Sequence, residues 1–256
     1  MNIKLIVTDL DNTLLRNDKT ISEYSSDVFK RVRNKGILTA FATARDFRFV
    51  TEFISPASGI IPDIIISDNG ALARYNCKDL YRKLIPAKTA NLLMAQFKLV
   101  RCVSTDKAYY LSGDYSNDHW SINKKETILS DKIDYVEEDV FYIDGDIGNS
   151  FLSMIDIYPE IRAVTYSDVE LVTIVHREAT KLNALNAVKS ALNIDSDNIA
   201  VFGDDYSDIE ILSNFKTGIA VENAISECKA AANYFCGHSD EDGVAHWIEE
   251  NIMLYS

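Results

Sequence analysis

The stretch KLIVTDLDNTLL, Lys4 to Leu15, decides how the chain is read. Leu5-Ile6-Val7 is a short apolar run of strand type, and it leads straight into Asp9-Leu10-Asp11-Asn12-Thr13. Two carboxylates two residues apart at the end of a buried strand are costly to hold together unless a cation or a proton relieves them. Alone, such a pair reads equally well as turn or helix caps. A catalytic reading demands companions elsewhere: a second group of carboxylates, a cation and a hydroxyl.

Working outward, Ile21, Tyr24, Val28 and Val32 recur at helical spacing, with Ser22 as N-cap and Gly36 where a left-handed stop belongs. Ile37 to Ala42 is a continuous apolar run ending at Thr43-Ala44-Arg45. A second amphipathic helix is expected over Asp46 to Ile54, stopping before Pro56. Another apolar strand, Ile64 to Ile66, ends at Ser67-Asp68-Asn69-Gly70. Uninterrupted apolar strands alternating with helices predict an α/β fold, a doubly wound parallel sheet covered on both faces.

Past Leu80 the texture changes. A helical run over Ala87 to Val100 precedes short alternating strands at Cys102–Thr105, Ala108–Ser112, Phe141–Ile143, Ala163–Ser167 and Glu170–Val175, with a helix around Asn149 to Tyr158. Alternation is the mark of antiparallel strands with one wet face. From Thr180 the α/β pattern returns: a helix carrying Leu182, Leu185, Val188 and Leu192, then strand Ile199–Phe202 ending at Gly203-Asp204-Asp205-Tyr206-Ser207-Asp208. Strand Gly218–Val221, a helix opened by Asn223-Ala224, a short strand at Tyr234–Cys236 and a terminal helix over Gly243 to Ile252 follow. The expected organisation is one core domain, residues 1–79 and 180–256, with an inserted α+β domain, 80–179.

Composition narrows the function. Of 256 residues, 47% are hydrophobic and 25% charged, with a net charge of -13. That balance argues against nucleic acid or an anionic membrane surface as partner, since both are met with basic patches. No apolar run approaches the ~20 residues of a membrane span, and the N-terminus lacks the pattern of a signal peptide. Four scattered cysteines without CxxC spacing suggest free thiols and a cytoplasmic location. His119, His176, His238 and His246 show no ligand spacing. Oligomeric state leaves no mark in the sequence.

Asp9/Asp11, Thr43, Asn69 and Asp204/Asp208 all fall at the C-terminal ends of apolar strands, the rim where open α/β sheets bind ligands. Their chemistry suits phosphoryl transfer. A carboxylate nucleophile divides phosphate ester hydrolysis into formation and breakdown of an acyl phosphate, and positioning and electrostatics supply most of the rate. Carboxylates from two distant loops suit Mg2+. Lys181 has two readings, a solvated helix residue or a point charge on the phosphate; a cation in a first helical turn opposes the macrodipole, which favours the second. Arg45 has two readings, a substrate contact or a partner for a core carboxylate. Asn69 also has two, a site residue or a strand terminator with Gly70.

Asp9-x-Asp11-x-Thr13, then Thr43, Lys181 and Gly203-Asp204-x-x-x-Asp208, in that order, resembles the four motifs of the haloacid dehalogenase superfamily. The insertion resembles the C2 cap of the Cof-type, subfamily IIB sugar-phosphatase-like members, as do Asn223-Ala224 and Asp240-Glu241-Asp242-Gly243-Val244-Ala245. The resemblance implies Asp9 as phosphorylated nucleophile and metal ligand. It implies Asp11 as acid and base with its backbone carbonyl on Mg2+, Thr43 and Lys181 holding the phosphoryl group, and Asp204 and Asp208 serving the metal. Asn12, Ala44, Arg45 and Asn69 are the candidate substrate-binding positions. Asn12 and Ala44 stand where the family usually has Gly, and Ser207 where it usually has Asn.

The expected activity is Mg2+-dependent hydrolysis of a small phosphorylated metabolite, such as a sugar phosphate, with the insertion selecting the leaving group. A phosphomutase and a non-catalytic phospholigand-binding regulator are the alternatives.

Overall fold

β1 (Leu5–Thr8) is buried at every residue. The computed structural model describes residues 2–96, 100–105, 108–111, 126–129, 140–145, 155, 157–169 and 172–254. It divides into two compact units, Met1–Tyr81 with Lys181–Ser256, and Arg82–Thr180.

In the first unit, α1 (Glu23–Asn34) begins at the N-cap Ser22, whose side chain accepts from the Ser25 N–H. It ends before Gly36 at φ 77°. β2 (Leu38–Ala42) follows. α2 is built from Phe47–Phe49, Val50–Ile54 and Ser55–Ser58, opened by the Asp46 carboxylate. The expected stop before Pro56 is overturned. The Ser55 N–H donates to Val50 O, a widened turn one residue before the proline, so the N–H that Pro56 lacks is absorbed there. The helix ends instead at Gly59, φ 69°. β3 (Ile64–Ser67) then runs parallel to β2.

Two strands escaped the sequence reading. β4 (Leu72–Tyr75) returns antiparallel to β3, and β5 (Lys78–Arg82) extends the same sheet. They are short, sit at the edge and carry little of the apolar continuity that marks the buried strands.

After the insertion come α4 (Lys181–Leu192), β12 (Ile199–Gly203), α5 (Ile209–Asn214), β13 (Thr217–Ala220), α6 (Ser226–Ala231), β14 (Tyr234–Phe235) and α7 (Gly243–Ile248). α6 starts at Ser226 rather than at Asn223-Ala224, because the Asn223 side chain is engaged elsewhere. The sheet order is β14-β13-β12-β1-β2-β3-β4-β5. The six strands from β14 to β3 are parallel.

β1 is the switch point: the chain grows to one side through β2 and β3, and to the other through β12 and β13. Its residues alternate between two cores. Ile6 packs with Phe29, Phe41, Phe202 and Trp247 under α1 and α7. Leu5 and Val7 pack with Ala184, Leu185 and Val188 of α4. Burial on both faces is why β1, β2, β3 and β12 read as unbroken apolar runs. Thr8 is in register with Phe41 and Phe202, so Asp9, Thr43 and Asp204 emerge at neighbouring strand ends.

The second unit holds α3 (Ala87–Gln96) and a sheet ordered β10-β11-β9-β6-β7-β8, made of β6 (Val100–Thr105), β7 (Ala108–Leu111), β8 (Glu126–Leu129), β9 (Val140–Gly145), β10 (Ile161–Thr165) and β11 (Val172–His176). Antiparallel pairing holds except between β7 and β8, which are parallel. Most of the helix expected around Asn149, the Asp106-Lys107 turn, His119 and Trp120 lie outside the described residues, as do the side chains of Tyr109 and Tyr110.

Candidate active site

Asp9 directly follows β1, and its N–H donates to Phe202 O at 3.0 Å. Lys181, the first residue of α4, reaches back beneath it. Its Nζ donates to Asp9 Oδ1 and to Asp208 Oδ1, both at 2.7 Å. All three groups are buried. Asp204 lies beside them, with Oδ1 accepting from Thr13 Oγ1 at 2.6 Å. The second oxygen of Asp208 accepts from the N–H groups of Asp204 and Asp205 at 3.2 and 3.3 Å. Asp208 thus folds its own loop around Lys181.

Gly203 makes this possible by lacking a side chain. A Cβ there would lie 2.5 Å from Asp208 Cβ. We expect Gly203→Ala to push Asp208 off Lys181, at about 1–3 kcal/mol of stability for the overpacking and a large loss of any turnover. Thermal melts and single-point assays check both.

Charge governs what this cluster can hold. Three carboxylates share one ammonium. Burial, then the neighbouring Asp208 charge working against Lys181, raises the Asp9 carboxyl to about 7. Burial with Asp9 and Asp208 raises Asp204 to about 9. Lys181 is itself desolvated, but Asp208 and Asp9 outweigh that and hold it firmly charged. With all three carboxyls ionised, the cluster would carry two negative charges beyond Lys181, the load a divalent ion can balance. The ligand atoms of Asp9, Asp204 and Asp208 lie within 4.8 Å of one another, one such group among the described residues. An all-oxygen donor set fits a hard cation.

Both raised carboxyls stand above their unfolded value of 3.8. The folded metal-free chain therefore binds more protons than the unfolded chain between about pH 4 and pH 9, and these groups make stability fall as pH rises through that window. A metal that displaces those protons should release acid on binding. We expect the melting shift produced by Mg2+ to be larger near about pH 8.5 than near about pH 6. Equal shifts at both would contradict this picture.

Asp11 stands outside the cluster. Its carboxylate is gripped by Arg45, with Nε at 2.5 Å and Nη2 at 2.7 Å, and by Lys19 Nζ at 3.1 Å. Burial would raise it, but the Arg45 hydrogen bonds and charge, with Lys19, pull it down to about 2. Of the two readings of Arg45, the structure displays the carboxylate partner. Its guanidinium also lies 4.0 Å from the centre of the Phe49 ring. Lys19 was missed by sequence, since a lysine in a polar turn carries no periodic signal.

Asn12 takes the left-handed conformation, φ 56°, which explains how it stands where Gly is usual. Its carbonyl accepts from Asn223 Nδ2 at 2.6 Å. Thr43 is buried, and its Oγ1 accepts from the Arg45 N–H at 3.1 Å. Ala44 is half-buried in the same turn. The Asn69 N–H donates to Thr43 O at 3.1 Å. Asp68, Asn69 and Gly70 are consecutive left-handed residues, at φ 54°, 55° and 87°. The strand ends at Ser67, and Asn69 sits in the left-handed turn that follows it, tied to Thr43.

The C-terminal loop completes the frame. Asp242 accepts from Arg16 Nη2 at 2.7 Å and Ser22 Oγ at 2.7 Å. Asp240 accepts from the Asn17 N–H at 2.8 Å. No helix among the described residues is long and apolar enough to cross a membrane.

Comparison with known proteins adds four findings. The family model for haloacid dehalogenase-like hydrolases matches residues 6–248. A 5-amino-6-(5-phospho-D-ribitylamino)uracil phosphatase of Bacillus subtilis, YitU, is 26% identical over 273 residues, covering 98% of both chains. Among solved structures, one from Streptococcus mutans superposes with a TM-score of 0.82 at 22% identity, covering 99% of this chain and 100% of that one. A HAD subclass IIB sugar phosphatase does so at 0.79 and 20%, covering 96% and 98%.

Proposed function

The chain belongs to the haloacid dehalogenase-like hydrolase family, and on that premise we propose that this phosphoric monoester hydrolase is a cytoplasmic, Mg2+-dependent phosphatase of small phosphorylated metabolites, acting through a phospho-aspartate. The observation that carries the reading is the buried Lys181 bridging Asp9 and Asp208, with Asp204 alongside. The substrate class is supported by the relative that acts on a phosphorylated ribityl compound.

In this reading Asp9 attacks phosphorus: its oxygen forms the new P–O bond and the ester oxygen leaves. Asp11 gives that oxygen a proton. Asp11 then takes a proton from water as the water attacks the acyl phosphate, which releases orthophosphate and restores Asp9. Lys181 and the Thr43 hydroxyl hold the phosphoryl oxygens. Asp9, Asp204, the Asp11 backbone carbonyl and Asp208, directly or through water, would hold Mg2+, which offsets charge on the transferring phosphoryl group.

Asp11 cannot donate a proton while Arg45 and Lys19 keep it near 2. A phosphate dianion entering the site competes for both cations, and that exchange frees Asp11 to take up its proton. Residues 80–179 choose the leaving group.

The test is a panel of phosphorylated metabolites and a generic aryl phosphate, with and without Mg2+. Release of orthophosphate that needs Mg2+ and is absent in Asp9→Asn is the expected result. An isomeric sugar phosphate instead of free phosphate would indicate a mutase. No turnover across the panel would favour a binding protein.

A further inference from the structure

We propose that Asn223 is a positioning residue for the proposed phosphatase reaction, fixing the Asn12–Thr13 peptide just after Asp11; the catalytic half of this inference rests on the reading above. The Asn223 carboxamide faces two backbone groups of opposite kind. Its Nδ2 donates to Asn12 O at 2.6 Å, and its Oδ1 accepts from the Ser239 N–H at 3.0 Å. A carbonyl on one side and an N–H on the other leave a single orientation for the amide. Asp at this position lacks the donor, and Ala lacks both functions.

What Asn223 holds is the bend of the catalytic loop. Asp11 is extended, φ -65° and ψ 128°, and Asn12 is left-handed, φ 56° and ψ 6°. A non-glycine residue in that region costs free energy and persists only where its surroundings hold it. The Asn12 carbonyl belongs to the peptide whose other end is Thr13, and the Thr13 hydroxyl engages Asp204. The preceding residue is Asp11. One clamp therefore governs the aim of Asp11 and, through Thr13, the seat of Asp204. The Ser239 N–H orients the clamp, and the loop it belongs to is itself tied to the chain beyond Leu15 through Asp240 and Asp242.

Two readouts test this. The first is amide hydrogen exchange of the segment 9–14 in the metal-free protein, which needs no activity. Asn223→Ala should speed exchange there by about tenfold or more while leaving β2 and β13 unchanged. The second is kinetics with Mg2+. Misaiming the loop should lower kcat by about 10- to 100-fold, with KM within about twofold and a larger loss for alkyl than for aryl phosphates.

Ser239→Pro is the second variant. It deletes the orienting N–H at the first position of a turn, together with the buried Ser239 hydroxyl, so Ser239→Ala, which keeps the N–H, is its control; His238 before it already has the extended backbone that a proline requires, φ -63° and ψ 146°. Its exchange and kcat should fall between those of the parent and Asn223→Ala.

Exchange and kcat equal to the parent in both variants would overturn the proposal. A uniform rise in exchange, with kcat per folded molecule unchanged, would overturn it too, since that marks a merely structural role. If the parent shows no turnover but segment 9–14 loosens selectively, the clamp stands and the phosphatase reading fails.

Discussion

Lys181→Met is expected to cost the metal-free protein about 3–5 kcal/mol of stability, the range for removing one partner of a buried ion pair. The side chain is 2% exposed, and the carboxylates it bridges are 9% and 1% exposed. Nothing of the same sign among the described residues replaces it between them. The remaining carboxyls respond by holding protons more tightly, which limits the damage to folding but would leave Asp9 a poorer nucleophile in the proposed reaction. Mg2+ should recover much of the stability, because it supplies positive charge to the same cluster. It should not recover turnover, since the phosphoryl oxygens still lack the ammonium. Denaturant titrations with and without Mg2+, beside a kinetic assay, separate the two effects. A melt within a degree of the parent, or kcat within about twofold, would refute the role given to Lys181.

The second large effect belongs to Asp11. We expect Asp11→Asn to lower kcat by about 10²- to 10⁴-fold for alkyl phosphates, the usual contribution of a positioned acid and base. The loss should shrink for an aryl phosphate, whose leaving group departs without a proton. Stability should change little in either direction. The carboxylate is partly exposed and screened, so losing its pairing with Arg45 and Lys19 is worth little to folding. Equal losses for both substrate types would remove Asp11 from proton transfer and leave it a structural partner of Arg45.

Much of this site was legible in the chain because it is written at strand ends. The runs before Asp9, Thr43 and Asp204 are unbroken because both sheet faces are buried, and a parallel sheet brings its strand ends to one rim. Lys181 was legible for the opposite reason: a cation at a helix start works against the helix dipole, and the Asp9 and Asp208 carboxylates explain it. What stayed hidden involves contacts without a period. Lys19 sits in a turn, and its approach to Asp11 depends on a left-handed backbone, φ 64°, that lysine does not advertise. The Thr13–Asp204 bond joins residues 191 apart. β4 and β5 were hidden because an edge hairpin needs little apolar continuity. Asn223 carries a helix-start signal in the sequence, yet the helix begins at Ser226, since the Asn223 amide serves the loop beside it.

The position of β1 has a consequence for how the molecule is made. Leu5 pairs with Leu38 on one side and with Ile199 on the other. The first neighbour emerges from the ribosome early, and the second only after most of the chain has been synthesised. Until then a fully buried strand of the core sheet is an open edge, and the carboxylate that follows it lacks its lysine. Pairings this distant in sequence are slow to close, and an unpaired apolar edge is open to the wrong partner meanwhile. Nascent chains that stall within the insertion would display that edge, which makes them natural clients for chaperones.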